Sequence, residues 1–329
     1  MPRTVSRNIS ILGAGPAGAS AAIAALQCGS SARLIEKSEF PRHKVCGEFL
    51  SPEIAQELDR VGAWDAFAAA GPARIRRMQL HFGKREKSSR LPESAWGLSR
   101  FAFDALLLEG ARRLGAEVRR ESTGGETVIA CGRRSRGSRR GRRLFGFKAH
   151  FEGPADDAVE LFFFHGCYVG VNAIEGGKTN VCGLGPEDFF GRLDFDFDEV
   201  IRRSPALAER LGPLRRSMKW LCTGPLEYAQ AFQPEFQRDG VYRAGDALSF
   251  VDPFTGSGLL TAVKTGTLAG MAAAMGESPS DYLAQCRVAL KKPFEIAGIF
   301  RRAVNTGWAE VLAGLVPGRV LFALTRPGK

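Results

Sequence analysis

The first residues that could do chemistry form a glycine pattern near the start of the chain. A GxGxxG sequence lies between a short apolar stretch and an alanine-rich stretch, which predict a buried strand and a helix. Glycines at this spacing permit a tight strand-to-helix turn, close approach to a pyrophosphate and close packing of the helix on the strand. The helix start would offer unpaired N–H groups to phosphates. The residues assigned to this site are Gly13, Gly15, Pro16, Ala17 and Gly18.

An acidic residue follows at the distance that a dinucleotide site requires. A second strand is predicted over residues 32–36, and it ends on Glu36; Glu36 and the following Lys37 are assigned to the cofactor site. A carboxylate there can accept hydrogen bonds from an adenosine ribose 2′-hydroxyl and would repel a 2′-phosphate. The pattern therefore predicts a bound dinucleotide other than NADP, with a glycine-rich turn that binds no ligand as the alternative.

A second constrained stretch lies far along the chain. A predicted strand ends at a Gly-Asp pair, whose carboxylate can accept hydrogen bonds from polyol hydroxyls. A proline then stiffens the turn, and two glycines open a helix whose N-terminal amides can face an anionic or electron-rich oxygen. The residues of this second motif are Gly245, Asp246, Pro253, Gly256, Gly258 and Leu259.

A basic loop, residues 40–48, follows the second strand. His43 could donate a proton, although a single histidine is more often structural. Cys46 could be reactive beside basic neighbours, although burial in packing is the commoner role. Lys44 fits phosphate recognition or solubility. These residues are candidates only, and the sequence assigns no side chain a firm catalytic role.

The elements that must position these residues are of two kinds. The opening strand–helix–strand predicts a parallel, doubly wound unit, extended by a helix over residues 101–114 capped by Ser99. Ser51 is predicted to cap a short helix that begins with Pro52. Period-two alternation from residue 145 onward predicts an inserted antiparallel sheet, followed by a helix over residues 197–211.

Two further stretches complete the expected fold. Phe162, Phe163 and Phe164 place aromatic rings on both faces of one strand, so one face predicts core packing and the other one wall of an apolar pocket. Helices are predicted over residues 258–275 and 279–304. The apolar segment 309–324 is interpreted as a helix packed on the protein rather than as a membrane anchor.

Together these residues resemble FAD-dependent oxidoreductases of the para-hydroxybenzoate hydroxylase type, and within them the geranylgeranyl reductase-like branch. The resemblance rests on the two glycine motifs with Glu36, on the basic Cys-Gly loop over residues 42–47 and on the strand sequence at residues 168–172. It covers nearly the whole chain. It implies an α/β fold, with a Rossmann-like FAD-binding domain, an inserted antiparallel substrate sheet and C-terminal helices.

The resemblance also implies roles and boundaries. The first motif would hold the FAD pyrophosphate, Glu36 the adenosine ribose and Asp246 the ribityl chain, while Gly256 and Gly258 would face the flavin ring. The residues expected to line the flavin are Arg42, Lys44, Cys46, Gly47, Arg100 and Pro253. The implied FAD-binding parts are residues 1–74, 99–143 and 239–276, the substrate parts are 75–98 and 144–238, and the C-terminal helices are 277–329.

Two departures from the family pattern bear on activity. Cys131 occupies the aspartate position of the family's Asp-Gly motif, which puts reduction by NADH or NADPH in question. Residues 120–127 are far shorter than the family's β-meander and are predicted to form only a tight turn around Gly124 and Gly125. These departures favour the alternative of a degenerate flavin-binding protein without catalysis.

The implied activity is flavin chemistry on an apolar isoprenoid, polyketide-like or aromatic molecule. Reduction of a carbon–carbon double bond and aromatic hydroxylation both stay open. A halogenase is disfavoured, because the tryptophans stand singly rather than in that family's tryptophan-rich motif. These residues are Trp64, Trp96, Trp220 and Trp308.

Composition narrows the other classes. The 329 residues carry 46 Lys and Arg against 35 Asp and Glu, a net charge of +11. Seven arginines between positions 133 and 143 account for most of it, since 11 − 7 leaves +4. A solvated loop is favoured over a specific nucleic-acid site, because no recognition motif accompanies the run.

Cysteine usage and hydropathy complete the expectations. None of the seven cysteines forms a CxxC pair, so neither a zinc site nor a dithiol motif is predicted, and no metal is expected. Reduced thiols suggest a cytoplasmic protein. No apolar run reaches the length of a bilayer span, so at most peripheral membrane contact is expected. The oligomeric state is left open.

Overall fold

The computed structural model describes five stretches of the chain, residues 6–83, 85–132, 143–226, 240–249 and 256–290. They form two sheets with helices packed on both. The opening strand–helix–strand prediction is confirmed, because a helix over Pro16–Gln27 (α1) follows one strand and precedes the next.

The first sheet consists of five parallel strands drawn from both ends of the chain. Its strands in spatial order are β14 (Tyr242–Arg243), β7 (Val128–Ile129), β1 (Asn8–Leu12), β2 (Ser31–Ile35) and β6 (Glu117–Arg119). All four pairings between neighbours are parallel. Because β14 lies beside β7, the sheet brings the second glycine motif to the edge where β1 and β2 end.

Helix α1 packs directly on the helix over Gly258–Met275 (α8) through glycines. A Cβ atom on Gly266 would lie 2.1 Å from the carbonyl oxygen of Ala17, and one on Gly270 would lie 2.1 Å from that of Ala21. The two helix backbones can approach this closely only because these positions lack side chains. The two glycine motifs are thereby held at fixed positions relative to each other.

The second sheet has nine strands and is mixed. They are β3 (Phe49–Leu50), β4 (Ala73–Phe82), β5 (Arg85–Gly97), β8 (Leu144–Glu152), β9 (Ala158–Phe164), β10 (Cys167–Ala173), β11 (Lys178–Pro186), β12 (Arg215–Arg216) and β13 (Leu221–Leu226).

The antiparallel pairing predicted from residue 145 onward is confirmed, but the sheet also contains one parallel pairing that the sequence does not predict. Strand β4 runs parallel to β9, with Met78 opposite Val159, whereas the other pairings are antiparallel. The chain leaves this sheet after β5, contributes to the first sheet, and returns at β8. A hairpin fixes antiparallel strands, but β4 and β9 are joined by a long excursion and are free to run the same way.

Short helices cover one face of the mixed sheet. The predicted helix over residues 197–211 is two helices, because Pro205 starts a new one at its first position. Phe147 and Phe197 stack at 4.5 Å in the core beneath them. The α-helices between α1 and α8 are α2 (Ile54–Arg60), α3 (Trp64–Ala69), α4 (Arg100–Arg113), α5 (Glu187–Gly191), α6 (Phe197–Arg202) and α7 (Pro205–Leu211).

Two local predictions need correction. Ser51 does not cap a helix, because α2 begins at Ile54, whose amide donates to the Ser51 carbonyl oxygen at 3.0 Å. Residues 120–127 do not make a tight turn, because they join β6 to β7, which lie on opposite sides of the β1–β2 pair. Parallel strands in that order need a crossover, and here it is only eight residues long.

The remaining predictions fall partly beyond the described residues. The cap on α4 is confirmed, since Ser99 Oγ accepts from the Ala102 amide at 3.1 Å. Of the arginine run, only Arg143 is described, and its Nε donates to Glu187 at 2.6 Å. Residues 279–290 are helical, whereas Pro253 and residues 291–329 lie outside the described residues. None of the helices in the described stretches is both long and apolar enough to cross a membrane.

Candidate functional site

The first glycine motif forms a tight passage between β1 and α1. Gly13 has a φ of +102°, and a Cβ there would lie 2.6 Å from the Ala130 carbonyl oxygen. A Cβ on Gly18 would overlap the Gly13 carbonyl oxygen at 1.8 Å. Gly15 differs, because the only described atom near its Cβ position is Nη2 of Arg100, at 3.8 Å. Gly13 and Gly18 therefore allow close packing, whereas Gly15 faces open space.

Glu36 lies where β2 ends, beside that motif. Its carboxylate accepts from the Ala14 amide at 3.2 Å, the Ser38 amide at 2.9 Å and Arg42 Nη2 at 3.1 Å. Partial burial disfavours the charged form, but the hydrogen bonds from Ser38 and Ala14 and the charge of Arg42 outweigh it and lower the pKa of Glu36. An ionised acceptor thus stands at the predicted ribose position, and exposed Lys37 follows it.

Three cationic side chains lie near the start of α1, and these are Arg42, Lys44 and Arg100. Arg100 is held by Asp104 through two bonds, at 2.5 and 2.7 Å. Burial and the charges of Arg42 and Arg100 lower the pKa of Lys44. Mutual repulsion among these cations is relieved when an anion binds between them. Arg100 lies at the open side of Gly15, and the positive charge of the three side chains suits an anionic group such as a pyrophosphate.

The second motif lies against the first. Gly245 has a φ of +59°, and its Cβ position is 3.0 Å from the Ala17 Cβ. The Gly245 amide donates to Thr265 Oγ1 at 2.9 Å, which ties this turn to α8. Asp246 is exposed in the same turn. The predicted pyrophosphate and polyol positions are thus brought to adjacent turns.

The start of α8 meets β3, the strand that follows the basic loop, at Phe49. Gly256 has a φ of +63°, and a Cβ there would lie 2.7 Å from Phe49 Cδ1. Gly258 and Gly47 have no described atom within 4 Å of their Cβ positions, whereas Leu259 is buried in the core. Both the loop at Gly47 and the helix start at Gly258 therefore have an open side among the described residues.

The mixed sheet turns its second face toward this loop, and half of that face is polar. Lys148, His150 and Asn180 are buried there and all bond to the loop or to Glu48 within it. Sequence analysis missed these four residues. The period-two pattern of β8 could have found two of them, because Lys148 and His150 alternate with apolar residues that were assigned to the core.

The other half of that face is apolar. Phe163 stacks on Phe82 at 4.8 Å, in a cluster that also contains Leu80 and is packed by Phe49. Phe162 points to the opposite face, into the core beneath the short helices. The three-phenylalanine run thus places aromatic side chains on both faces, as the alternation predicts.

The two weak catalytic candidates are placed differently. His43 stacks on Phe101 at 4.9 Å, and burial together with the charges of Lys148 and His150 lowers the pKa of its ring. Burial raises the pKa of the Cys46 thiol, although Arg100 opposes the effect. At neutral pH both side chains are uncharged, so Cys46 is not an activated thiolate.

These residues fit an FAD molecule. The open sides of Gly15, Gly47 and Gly258 provide a cradle that side chains would fill. The three cations suit a pyrophosphate, and ionised Glu36 suits a ribose. Pro253, which the resemblance places near the ring, lies outside the described residues.

Comparison with known proteins identifies an FAD-binding domain in the first part of the chain. Residues 7–129 match the family described as FAD binding domain. Menaquinone reductase of Mycolicibacterium smegmatis is 40% identical over 55 residues, which span 17% of this chain and 13% of that protein. A flavin-dependent halogenase of Armillaria mellea, armH4, is 33% identical over 124 residues, which span 33% of this chain and 23% of the relative.

Solved structures share the fold over almost the full length. A flavoprotein/dehydrogenase from Cytophaga hutchinsonii has a TM-score of 0.78 and 18% identity, covering 98% of this chain and 92% of that one. A geranylgeranyl bacteriochlorophyll reductase-like protein from Thermoplasma acidophilum has a TM-score of 0.69 and 18% identity, with the same coverage.

These matches establish a mixed α/β fold with an FAD-binding domain of Rossmann type. They fit the para-hydroxybenzoate hydroxylase-like superfamily that the motifs resemble. The chain matches only short parts of the curated relatives, 13% and 23% of their lengths, so the activities of those relatives are not transferred with the domain.

Proposed function

We propose that this protein is an FAD-dependent oxidoreductase that acts on an apolar small molecule, most simply as a reductase of a carbon–carbon double bond. One observation carries the proposal: Phe49 touches the second glycine motif at Gly256 on one side and the apolar cluster of the mixed sheet on the other. A substrate resting on that cluster would lie beside the group held by the glycine motifs.

The chain's own residues would bind and orient both molecules. The start of α1 and the cations Arg42, Lys44 and Arg100 would hold the pyrophosphate of FAD, and Glu36 would hold its ribose. Once reduced by an electron donor such as NADH or NADPH, bound flavin would supply the electron pair for reduction of the substrate. The apolar cluster around Phe163 would hold the substrate and exclude water from it.

Reduction is the form of the reaction that we favour. The 40% identical stretch of a menaquinone reductase and the fold of a geranylgeranyl bacteriochlorophyll reductase-like protein support it. Aromatic hydroxylation is the other form that the resemblance implies. We do not propose halogenation, although halogenases share the fold. The reason is that the tryptophans stand singly in the sequence and do not form the tryptophan-rich motif of halogenases. In the structure Trp64 and Trp96 pack against each other at 5.6 Å, and Trp220 packs under the other face of the sheet.

A flavin-binding protein without catalysis is the second candidate. Cys131, at the Asp position of the family motif, lies beside the first glycine motif, since a Cβ on Gly13 would be 2.8 Å from its Cα. The crossover over residues 120–127 is short. By the resemblance, the Asp-Gly motif serves both FAD and NADH or NADPH, so the first departure bears on reduction of the flavin. The missing meander would cover part of the FAD-binding domain, so the second bears on stability and on retention of the flavin.

Anaerobic flavin spectroscopy tests the proposal. Protein reconstituted with FAD is mixed with NADH or NADPH, with and without prenyl lipids and apolar phenols, and products are analysed before and after oxygen is admitted. We expect bleaching of the flavin and saturation of a double bond without oxygen. Hydroxylation that requires oxygen would instead identify a monooxygenase, and a product that requires bromide would identify a halogenase.

The same experiment separates the second candidate. If the protein binds FAD but its flavin is bleached neither by NADH or NADPH nor by an added reduced electron carrier, the protein is non-catalytic. Failure to bind FAD after reconstitution would contradict the proposal as a whole.

A further inference from the structure

We propose that Lys148, His150 and Asn180 of the mixed sheet are positioning residues for the flavin: through Glu48 and the loop backbone they hold the later part of the basic loop, residues 42–48, against the cofactor. This inference rests on the proposed function. It assigns a role to buried polar residues of the sheet that neither motif contains.

Glu48 is the centre of the arrangement. Its φ is +52°, a backbone conformation that side-chain-bearing residues rarely adopt, and its side chain is fully buried. Its Oε1 accepts from Lys148 Nζ and from the Arg100 amide at 2.5 Å, while its Oε2 bonds His150 Nε2 at 2.7 Å. One carboxylate therefore joins the loop, the sheet and the start of α4.

The loop backbone is held separately. Lys148 Nζ donates to the Lys44 carbonyl oxygen at 3.2 Å. Asn180 Nδ2 donates to the carbonyl oxygens of Cys46 at 3.1 Å and Gly47 at 2.9 Å. Three successive anchor points thus fix the loop segment that carries the predicted flavin contacts.

Sheet stability does not explain these residues. Asn180 is fully buried, and its Oδ1 has no hydrogen-bond partner among the described residues. A buried unsatisfied amide oxygen costs stability that an apolar side chain would not. A buried ion pair such as Glu48–Lys148 is also, in general, no more stabilising than well-packed apolar residues.

The charge balance fits a fixed loop. Burial opposes ionisation of Glu48, but the bond to His150 and the charge of Lys148 lower the pKa of its carboxyl below the ordinary value. Glu48 is thus an anion at neutral pH, and its bonds to the sheet are charge-assisted. Charge-assisted hydrogen bonds are shorter and stronger than neutral ones, which suits a loop that must not move.

The same sheet offers a matched control on its opposite face. Glu160 is also buried and pairs with Arg210 of α7 at 2.6 Å, away from the loop. Glu160→Gln removes a buried carboxylate charge as Glu48→Gln does. Only Glu48→Gln alters the anchoring of the loop.

The test measures the FAD dissociation constant, the midpoint potential of the bound flavin and the thermal midpoint of each variant. We expect Glu48→Gln and Asn180→Ala to weaken FAD binding at least tenfold and to shift the potential, because the loop contacts tune the ring. Glu160→Gln should lower the thermal midpoint while FAD affinity stays within twofold of wild type.

A double variant guards against misfolding. Glu48→Gln with Lys148→Met removes both charges and leaves no unpaired ion, so it should fold where Glu48→Gln fails. FAD affinity and potential equal to wild type in the double variant and in Asn180→Ala would overturn the positioning role alone. Wild-type protein that binds no FAD would overturn the proposed function, and this inference with it.

Discussion

Gly256 and Phe49 approach each other so closely that a Cβ on the glycine would lie 2.7 Å from the ring carbon Cδ1. This contact joins the start of α8, far along the chain, to β3, the short strand that follows the basic loop. Phe49 in turn packs on the apolar cluster of the mixed sheet. The expected flavin contacts and the expected substrate wall therefore meet at one residue.

Substitution of Gly256 tests that contact. Gly256→Ala places a side chain against Phe49 at a φ of +63°, so we expect weaker FAD binding and a loss of stability beyond the backbone cost. Gly62→Ala is the matched control, because Gly62 also has a φ of +63° with no described atom within 4 Å of its Cβ position. The control should lose only about 1 kcal/mol in chemical denaturation.

FAD titration of the same two variants completes the test. Gly62→Ala should bind FAD as wild type does. If Gly256→Ala matched it in both stability and affinity, the Phe49 contact would be shown not to shape the site.

Close packing of α1 on α8 predicts opposite effects for two glycine substitutions inside helices. Gly266→Ala would drive a Cβ to 2.1 Å from the Ala17 carbonyl oxygen, and we expect a loss of about 3 kcal/mol from overpacking. Gly110→Ala in α4 meets only Ile23 Cδ1 at an ordinary 3.5 Å, so it should gain about 0.5–1 kcal/mol. Urea unfolding measures both, and equal signs would contradict the packing described.

Glu36 predicts a pH-dependent contribution to stability. Its pKa is lower in the folded protein than in the unfolded chain, so its contribution is complete above the unfolded pKa and is lost as the pH falls through the folded value. The stability difference between wild type and Glu36→Gln should therefore be largest near pH 7 and shrink toward pH 3. Urea unfolding across that range measures it.

A parallel measurement ties Glu36 to the cofactor. Glu36→Gln keeps the shape but weakens the acceptor for a ribose hydroxyl, so FAD affinity at pH 7 should fall about tenfold, a difference near 1.4 kcal/mol. Lys37→Gln is the control, since Lys37 is exposed next to Glu36. Equal losses from both variants would mean that local charge, and not the Glu36 acceptor, sets the affinity.

The parts that the sequence predicted correctly are those governed by local rules. The strand–helix–strand around Gly13 and the Ser99 cap are set by backbone conformation and capping within a few residues. Ser51 shows the limit of such rules. Serine before proline is a common capping sequence, but the chain turns there and the helix starts at Ile54.

Features that depend on distant residues were not predictable in this way. The parallel pairing of β4 with β9 joins strands separated by the whole passage through the first sheet. Likewise Glu48 and Lys148 are 100 positions apart, and no local pattern reveals that their charges neutralise each other in the interior. The available signal is that Lys148 and His150 alternate with the apolar residues of β8, but the alternation alone does not show what the polar face contacts.

The two faces of β9 provide a test of where the substrate binds. Phe163 and Phe164 are adjacent and both half-buried, but Phe163 belongs to the cluster beside Phe49, and Phe164 packs toward the short helices. Phe163→Ala should raise the KM for an apolar substrate at least fivefold with little change in FAD affinity, because it removes part of the expected pocket wall. Phe164→Ala removes the same ring from the other face, so it should cost stability and leave the KM near the wild-type value.

Steady-state kinetics with the substrate identified by the anaerobic experiment, together with thermal midpoints, compare the two variants. A larger change in KM for Phe164→Ala than for Phe163→Ala would place the substrate on the helix-covered face and contradict the proposed site.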